Sequence, residues 1–216
     1  MARKPNLNPG LTRERLLDAA EHLFASNGVA KTSLEDVAAA AGFTRGALYW
    51  HFAGKGELLD ALFARAEIPL DDMARAVLGQ DDPLRALHGY WVGAMAYLQG
   101  SERALRVLEI RVRKCEYVDE FKETDHRVAR WVEQTLALTT RAFEEAAMRG
   151  LLAPRVNPAR AAASLIGLLS GFGYLSAGLC GAVAIDSVAA LDQYFDLVSA
   201  RPGGTLSGDL GDHAAA

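Results

Sequence analysis

Between Ser33 and Trp50 the sequence writes two short helices around a two-residue break, and this stretch constrains the fold more than any other. Ser33 followed three residues later by Asp36 resembles a capping box, and Leu34, Val37, Ala38 and Ala41 supply the apolar face of a helix over 33–41. Gly42 and Phe43 leave room only for a tight break, after which Thr44 caps a second helix over 44–50. Two helices of these lengths, joined this closely, have the form of a helix-turn-helix.

The rest of the chain repeats the helical spacing of three and four. With no alternating strand run, internal repeat or low-complexity block between the ends, the expected fold is all-α. A first helix over 12–27 carries Leu16, Ala20, Leu23 and Phe24 on one face, and Gly28 ends it. Leu58, Leu59, Leu62 and Phe63 stripe a helix over 56–78, which Pro69 should kink or end. Further helices are expected over 82–99, opened by Asp82-Pro83, then 102–114, 124–149 closed by Gly150, 157–178 and 186–200, nine in all. The pattern divides the chain into a flexible arm over 1–11, a three-helix head over 12–55, a larger helical body over 56–200 and a disordered tail over 201–216.

Charge is distributed to suit contact at one end. The net charge of −4 argues against coating nucleic acid everywhere, yet residues 1–55 hold seven Lys/Arg against five acids, leaving the remainder at −6. On a helical wheel Ala47 and Leu48 turn inward, while Arg45, Gly46, Tyr49 and Trp50 fall on the outer arc. Two aromatics and a glycine lower helix stability there without an evident internal gain. Each has a use against a duplex. Arg45 suits a two-pronged bond to guanine, and Gly46 removes a side chain at a close approach. Tyr49 and His51 can donate to phosphates, as can Lys55, Thr32 and Ser33 at helix N-termini. The rival reading is an ordinary three-helix core with a solvated basic edge.

The run Gly42-Phe43-Thr44-Arg45-Gly46-Ala47-Leu48-Tyr49-Trp50-His51-Phe52, followed by Lys55 and Leu58, resembles the signature of TetR-family repressors. Ala19-Ala20, Leu23-Phe24, Gly28, Thr32-Ser33, Val37-Ala38 and Ala41-Gly42 match in register, so the resemblance covers residues 12–62. It implies an N-terminal DNA-binding domain of three helices and an all-helical C-terminal domain that dimerises and binds an inducer. By position it puts Arg45, Gly46, Tyr49, Trp50 and His51 on DNA, with Lys55 and Thr32 on phosphates. Ala47 stands where some members carry a base-contacting side chain, which shifts readout toward Arg45 and Thr44. Arg106 to Ile110, with Lys114 to Val118, is similar to the middle of AcrR-type members, repressors of multidrug efflux pump genes, from which Val112 and Arg113 depart.

A ligand site in the body is read from residue types at helical spacing. Trp91, Met95, Ile110, Leu165, Leu169 and Tyr174 are candidate apolar walls, with Trp131 on the same pattern. Thr135 with Thr139, Glu109 with Arg113, and Ser170 beside Leu169 add polar groups, as a site for a small hydrophobic or aromatic inducer needs. For any one of these residues a plain core role is the competing assignment. Helices 158–178 and 186–200 are the expected homodimer surface. The uncharged run Ala161–Ile185 is long enough to span a bilayer, but its interleaved glycines and serines favour a close-packed dimer helix.

No membrane partner is expected, and with no secretory signal read at the N-terminus the cytoplasm is the expected compartment. Cys115 and Cys180 fit no disulfide or metal framework, the five histidines lack ligand spacing, and no nucleophile–base pair supports catalysis. No cofactor, metal or enzyme activity is therefore expected. The expectation is a dimeric repressor on palindromic operator DNA, released by a small ligand and controlling efflux genes. A regulator of metabolic genes, or an activator, stays open.

Overall fold

The computed structural model describes residues 9–67, 69–115, 122–178 and 185–200; the rest of the expected arm and the 201–216 tail lie outside the described residues. Among these residues there are ten α-helices: α1 (Pro9–Asn27), α2 (Leu34–Ala40), α3 (Arg45–His51), α4 (Lys55–Ala64), α5 (Leu70–Val77), α6 (Pro83–Gly100), α7 (Glu102–Glu109), α8 (Lys122–Met148), α9 (Pro158–Gly178) and α10 (Ser187–Val198). A single wider π turn, Ile110–Lys114, continues α7. The only β pairing among them is an isolated antiparallel bridge between Leu152 and Ser199.

Local chemistry sets most of these ends. Pro9 stands in the first turn of α1, where its fixed φ and missing N–H cost nothing, so the helix starts before the expected Thr12. Asp82 accepts from Arg85 N at 2.9 Å, Asn157 from Arg160 N at 3.0 Å and Asp186 from Ala189 N at 2.9 Å, each capping a helix at the expected place. The helix expected over 56–78 is two: α4 stops at Ala64 and Pro69 precedes α5. This break makes the count ten where nine were expected.

The chain forms two compact units. Of the described residues, the N-terminal unit takes 9–67, 101–115, 122–129 and 176–178, and the C-terminal unit takes 69–100, 130–175 and 185–200. In the first, Leu16, Leu17, Ala20 and Phe24 of α1 share one core with Val37, Leu48, Phe52, Leu58, Leu62 and Phe63. Val107 and Ile110 belong to that same core. The segment 102–114, expected in the body, therefore packs with the head.

Its apolar side chains share the core, and its charges are tied to α1. Arg106 Nε donates to Glu21 Oε1 at 2.8 Å, with Arg103 Nε 3.4 Å and Arg65 Nη1 3.8 Å from Glu21 Oε2. Arg65 also bonds Asp18 at 2.8 Å and Glu14. Lys114 O accepts from Val29 N at 3.0 Å. From the start of α8, Arg127 Nη2 donates to Asp60 O at 2.7 Å and lies 3.2 Å from Glu67.

The C-terminal unit has its own core of Met73, Val77, Leu84, Leu87, Trp91, Met95, Phe143, Leu165, Leu169, Phe172, Leu191 and Phe195. His88 of α6 pairs with Asp192 of α10 at 2.6 Å and meets the Phe195 ring edge-on at 5.1 Å. Tyr194 OH donates to Ala161 O at 2.5 Å, and burial pushes its pKa up to about 12, so it stays a neutral donor.

Candidate nucleic-acid interface

The turn between α2 and α3 is built by short polar side chains and one glycine. Ser33 Oγ accepts from Asp36 N at 3.1 Å, and Asp36 Oδ2 accepts from Ser33 Oγ at 2.7 Å and from Ser33 N at 2.9 Å. The Ser33 hydroxyl and amide thereby hold the Asp36 carboxyl below its ordinary range. At the other end Gly42 N donates to Ala39 O at 3.0 Å and Phe43 N to Ala38 O at 2.8 Å. This reversal of the chain needs the left-handed backbone of Gly42, φ +77°, which a side chain would strain. Thr44 Oγ1 then accepts from Ala47 N at 3.3 Å and starts α3.

One residue anchors α3. Leu48 is 0% exposed within the N-terminal core, and truncating such a leucine costs about 2–5 kcal/mol. With Leu48 inward, Arg45 and Gly46 are exposed, Tyr49 is 43% exposed and Trp50 is 72% exposed. Arg45 is held in place across the turn: Nη1 lies 2.6 Å from Glu35 Oε1, Nη2 donates to Tyr49 OH at 3.3 Å, and the guanidinium sits 5.3 Å from the Tyr49 ring centroid. An added Cβ at Gly46 would meet nothing nearer than Thr44 Oγ1 at 4.0 Å. No internal crowding accounts for that glycine.

The flanking residues divide. Thr32 turns inward: it is buried, and its hydroxyl donates to Gly28 O at 2.8 Å. Lys55 begins α4 without a capping side chain before it, and its Nζ donates to Val29 O at 3.2 Å. His51 packs edge-on to Trp50 at 4.6 Å. Burial, and then the nearby Arg13 charge, lower the His51 pKa and keep the ring neutral near pH 7. Arg13 stacks on Phe52 at 5.2 Å and Arg15 on Phe43 at 5.3 Å, which brings two α1 cations beside the turn. In the sequence these two entered only the charge balance; a wheel of α1 puts them outside the Leu16–Ala20 face, which was the available signal.

The residues expected around a ligand are drawn from both units. Trp91, Met95, Thr135, Thr139, Leu165 and Leu169 are all buried within the C-terminal unit. Ile110 lies in the N-terminal core, Glu109 is 4.0 Å from Lys114 Nζ, and Arg113 is exposed in that same unit. Ser170 and Tyr174 are exposed on α9, in a stripe with Ala163 and Gly167. Leu165 and Leu169 occupy the buried face of that helix.

Residues 16–62, from α1 through α4 and across the whole turn, match the profile of the bacterial regulatory proteins of the tetR family. The transcriptional regulator TtgR of Pseudomonas putida is 34% identical over 173 residues, which is 79% of this chain and 82% of TtgR. The chain belongs to the TetR family. It is thus a DNA-binding transcriptional regulator, with α2–α3 as its helix-turn-helix.

Solved relatives carry the likeness beyond the head. NalD, the secondary repressor of the MexAB-OprM multidrug efflux pump in Pseudomonas aeruginosa, superposes with a TM-score of 0.79 at 30% identity, over 89% of the regulator and 98% of NalD. SmeT of Stenotrophomonas maltophilia, in complex with triclosan, gives 0.78 at 30% identity over 94% of the regulator and all of SmeT, 100%. Among the described residues no helix is long and apolar enough to cross a membrane.

Proposed function

We propose that the regulator represses efflux-pump genes as a homodimer on a palindromic operator and leaves it when a small apolar ligand binds. The observation that carries the DNA half is α3 itself: a helix held by one buried leucine that spends Arg45, Gly46, Tyr49 and Trp50 on solvent. Arg45 reads a base edge, and Gly46 allows the backbone close approach. Tyr49, Trp50, the neutral His51, Thr44, Ser33 and Lys55 pack on or donate to the sugar-phosphate backbone, with Arg13 and Arg15 adding charge. Thr32 serves this surface by fixing the 28–32 turn from beneath.

Support for the dimer comes from α9 and α10. Ala163, Gly167, Ser170 and Tyr174 make one exposed stripe, and Ala189, Gln193 and Leu197 make another. Small residues at such spacing admit close helix approach, and a second copy of the chain is the occupant in this family. A two-fold axis there would present the recognition helices about 34–36 Å apart, one turn of duplex. Support for efflux control and ligand release comes from NalD, SmeT and triclosan, together with the apolar residues around Trp91.

The test is a gel shift of the full-length protein on its own upstream duplex, with and without triclosan. A salt-sensitive complex that dissolves as triclosan rises is expected. Absence of any such complex refutes the DNA role, and a complex that persists at saturating triclosan with every apolar compound tried refutes ligand release. A promoter reporter that rises on deletion of the gene confirms repression; a fall assigns activation.

A further inference from the structure

The C-terminal unit buries two neutral polar atoms without a hydrogen-bond partner, Trp91 Nε1 and Thr139 Oγ1. Trp91 is 3% exposed and Thr139 is 0% exposed. Polar groups so placed are almost always paired, and each exception calls for a cause. Thr135, one turn earlier on the same face of α8, bonds back to Trp131 O at 2.7 Å. Thr139 makes no such bond; it is fully buried, and Ala142, Phe143 and Ala146, three, four and seven residues further along α8, belong to the C-terminal core. Trp91 lies between Leu87 and Met95 on the buried face of α6, in that same core.

The surroundings define what could satisfy these atoms. Met95, Phe143, Leu165 and Leu169 are uncharged, and the unit's buried ionisable histidine is already engaged with Asp192. An indole N–H only donates, and a hydroxyl can donate. A carboxylate brought here would exchange its hydration for at most two neutral donors, and a cation for a single hydroxyl acceptor, so burying either charge is costly. We propose that Trp91 Nε1 and Thr139 Oγ1 are the hydrogen-bond donors of the regulator's ligand site. That site takes uncharged, largely aromatic compounds carrying an acceptor oxygen such as a ketone, ether or phenol. This rests on the ligand-release reading above and narrows it: charged drugs and pure hydrocarbons are poor effectors.

The test uses two probes of matched shape, methyl naphthyl ketone and ethylnaphthalene, titrated calorimetrically into the full-length protein. The ketone is expected to bind about tenfold tighter, the effect of one to two well-placed neutral hydrogen bonds. In Trp91→Phe and Thr139→Val each that preference shrinks severalfold, and in the double variant it vanishes while ethylnaphthalene affinity holds. Equal binding of the two probes to the wild type, or a preference that survives in the double variant, overturns the donor assignment and leaves ligand release standing. Failure of both probes to bind, together with operator complexes indifferent to triclosan, overturns both readings. Without ligand, Thr139→Val is expected to melt at or above the wild-type temperature; a clear drop would mean that the hydroxyl is satisfied within the protein and would also overturn the assignment.

Discussion

Among the described residues, the buried polar atoms left without a hydrogen-bond partner are charged in the N-terminal unit and neutral in the C-terminal unit. In the N-terminal unit the buried carboxylate Glu21 of α1 sits in an ion net that reaches solvent: it meets Arg65 of α4 and the partly exposed Arg103 and Arg106 of α7, and Asp18 shares two of those arginines. In the C-terminal unit the groups without a partner are neutral, and they lie on α6 and α8 among apolar side chains. The difference is one of tolerance. An ion net tied at several points resists the loss of any member, because what remains is a buried, unmatched charge. A neutral donor can stay unpaired at modest cost and be satisfied by an incoming molecule. The first arrangement ties α1 to α4 and α7 at several points, and the second is what the proposed ligand site would draw on.

The largest expected effect is that of Glu21→Ala, which leaves Arg106 without its carboxylate while Arg65 and Arg103 keep Asp18, and should lower the unfolding free energy by about 1–3 kcal/mol in urea titrations. A loss well under that would mean that solvent already carries the net. Next in size, Arg45→Ala should weaken operator binding by about tenfold or more and relax the preference at one base pair, read by competition footprinting. Unchanged selectivity would leave Arg45 as a phosphate contact only.

Thr139→Val sharpens the comparison by sign, since it should add up to about 1 kcal/mol of stability in chemical denaturation without ligand, where truncating Glu21 subtracts. Glu35→Gln removes the carboxylate that holds Arg45 in the DNA-free protein. Operator affinity should rise about two- to fivefold, less at high salt, as befits an exposed pair. An affinity that falls would recast Glu35 as a positioning group that sets the Arg45 fork for its base. The smallest effect is the Asp36 cap. Its carboxyl titrates below the ordinary 3.8, so the help it gives α2 is full above about pH 4 and is lost as pH falls through the depressed folded value. Asp36→Asn should flatten that step, which amide shifts of Ser33 and Asp36 followed through an acid titration would register.

What could be read in the sequence was whatever depends on neighbours within one turn. The Ser33–Asp36 box, the Gly42 reversal, the Thr44, Asp82 and Asp186 caps and the outward set Arg45, Gly46, Tyr49 and Trp50 all follow from helical spacing and local hydrogen bonds. Folding decided everything that joins distant residues. Glu21 and Arg106 are separated by 85 positions, and no periodicity marks one as the other's partner. The spacing that suggested Ile110 for a ligand wall equally suits the head core where it packs, and Ser170 and Tyr174 differ from Leu169 only in which face of α9 meets a neighbour. A helical pattern says that a face is buried; which element covers it, and whether a donor buried there finds an acceptor, is settled by packing between helices far apart along the chain.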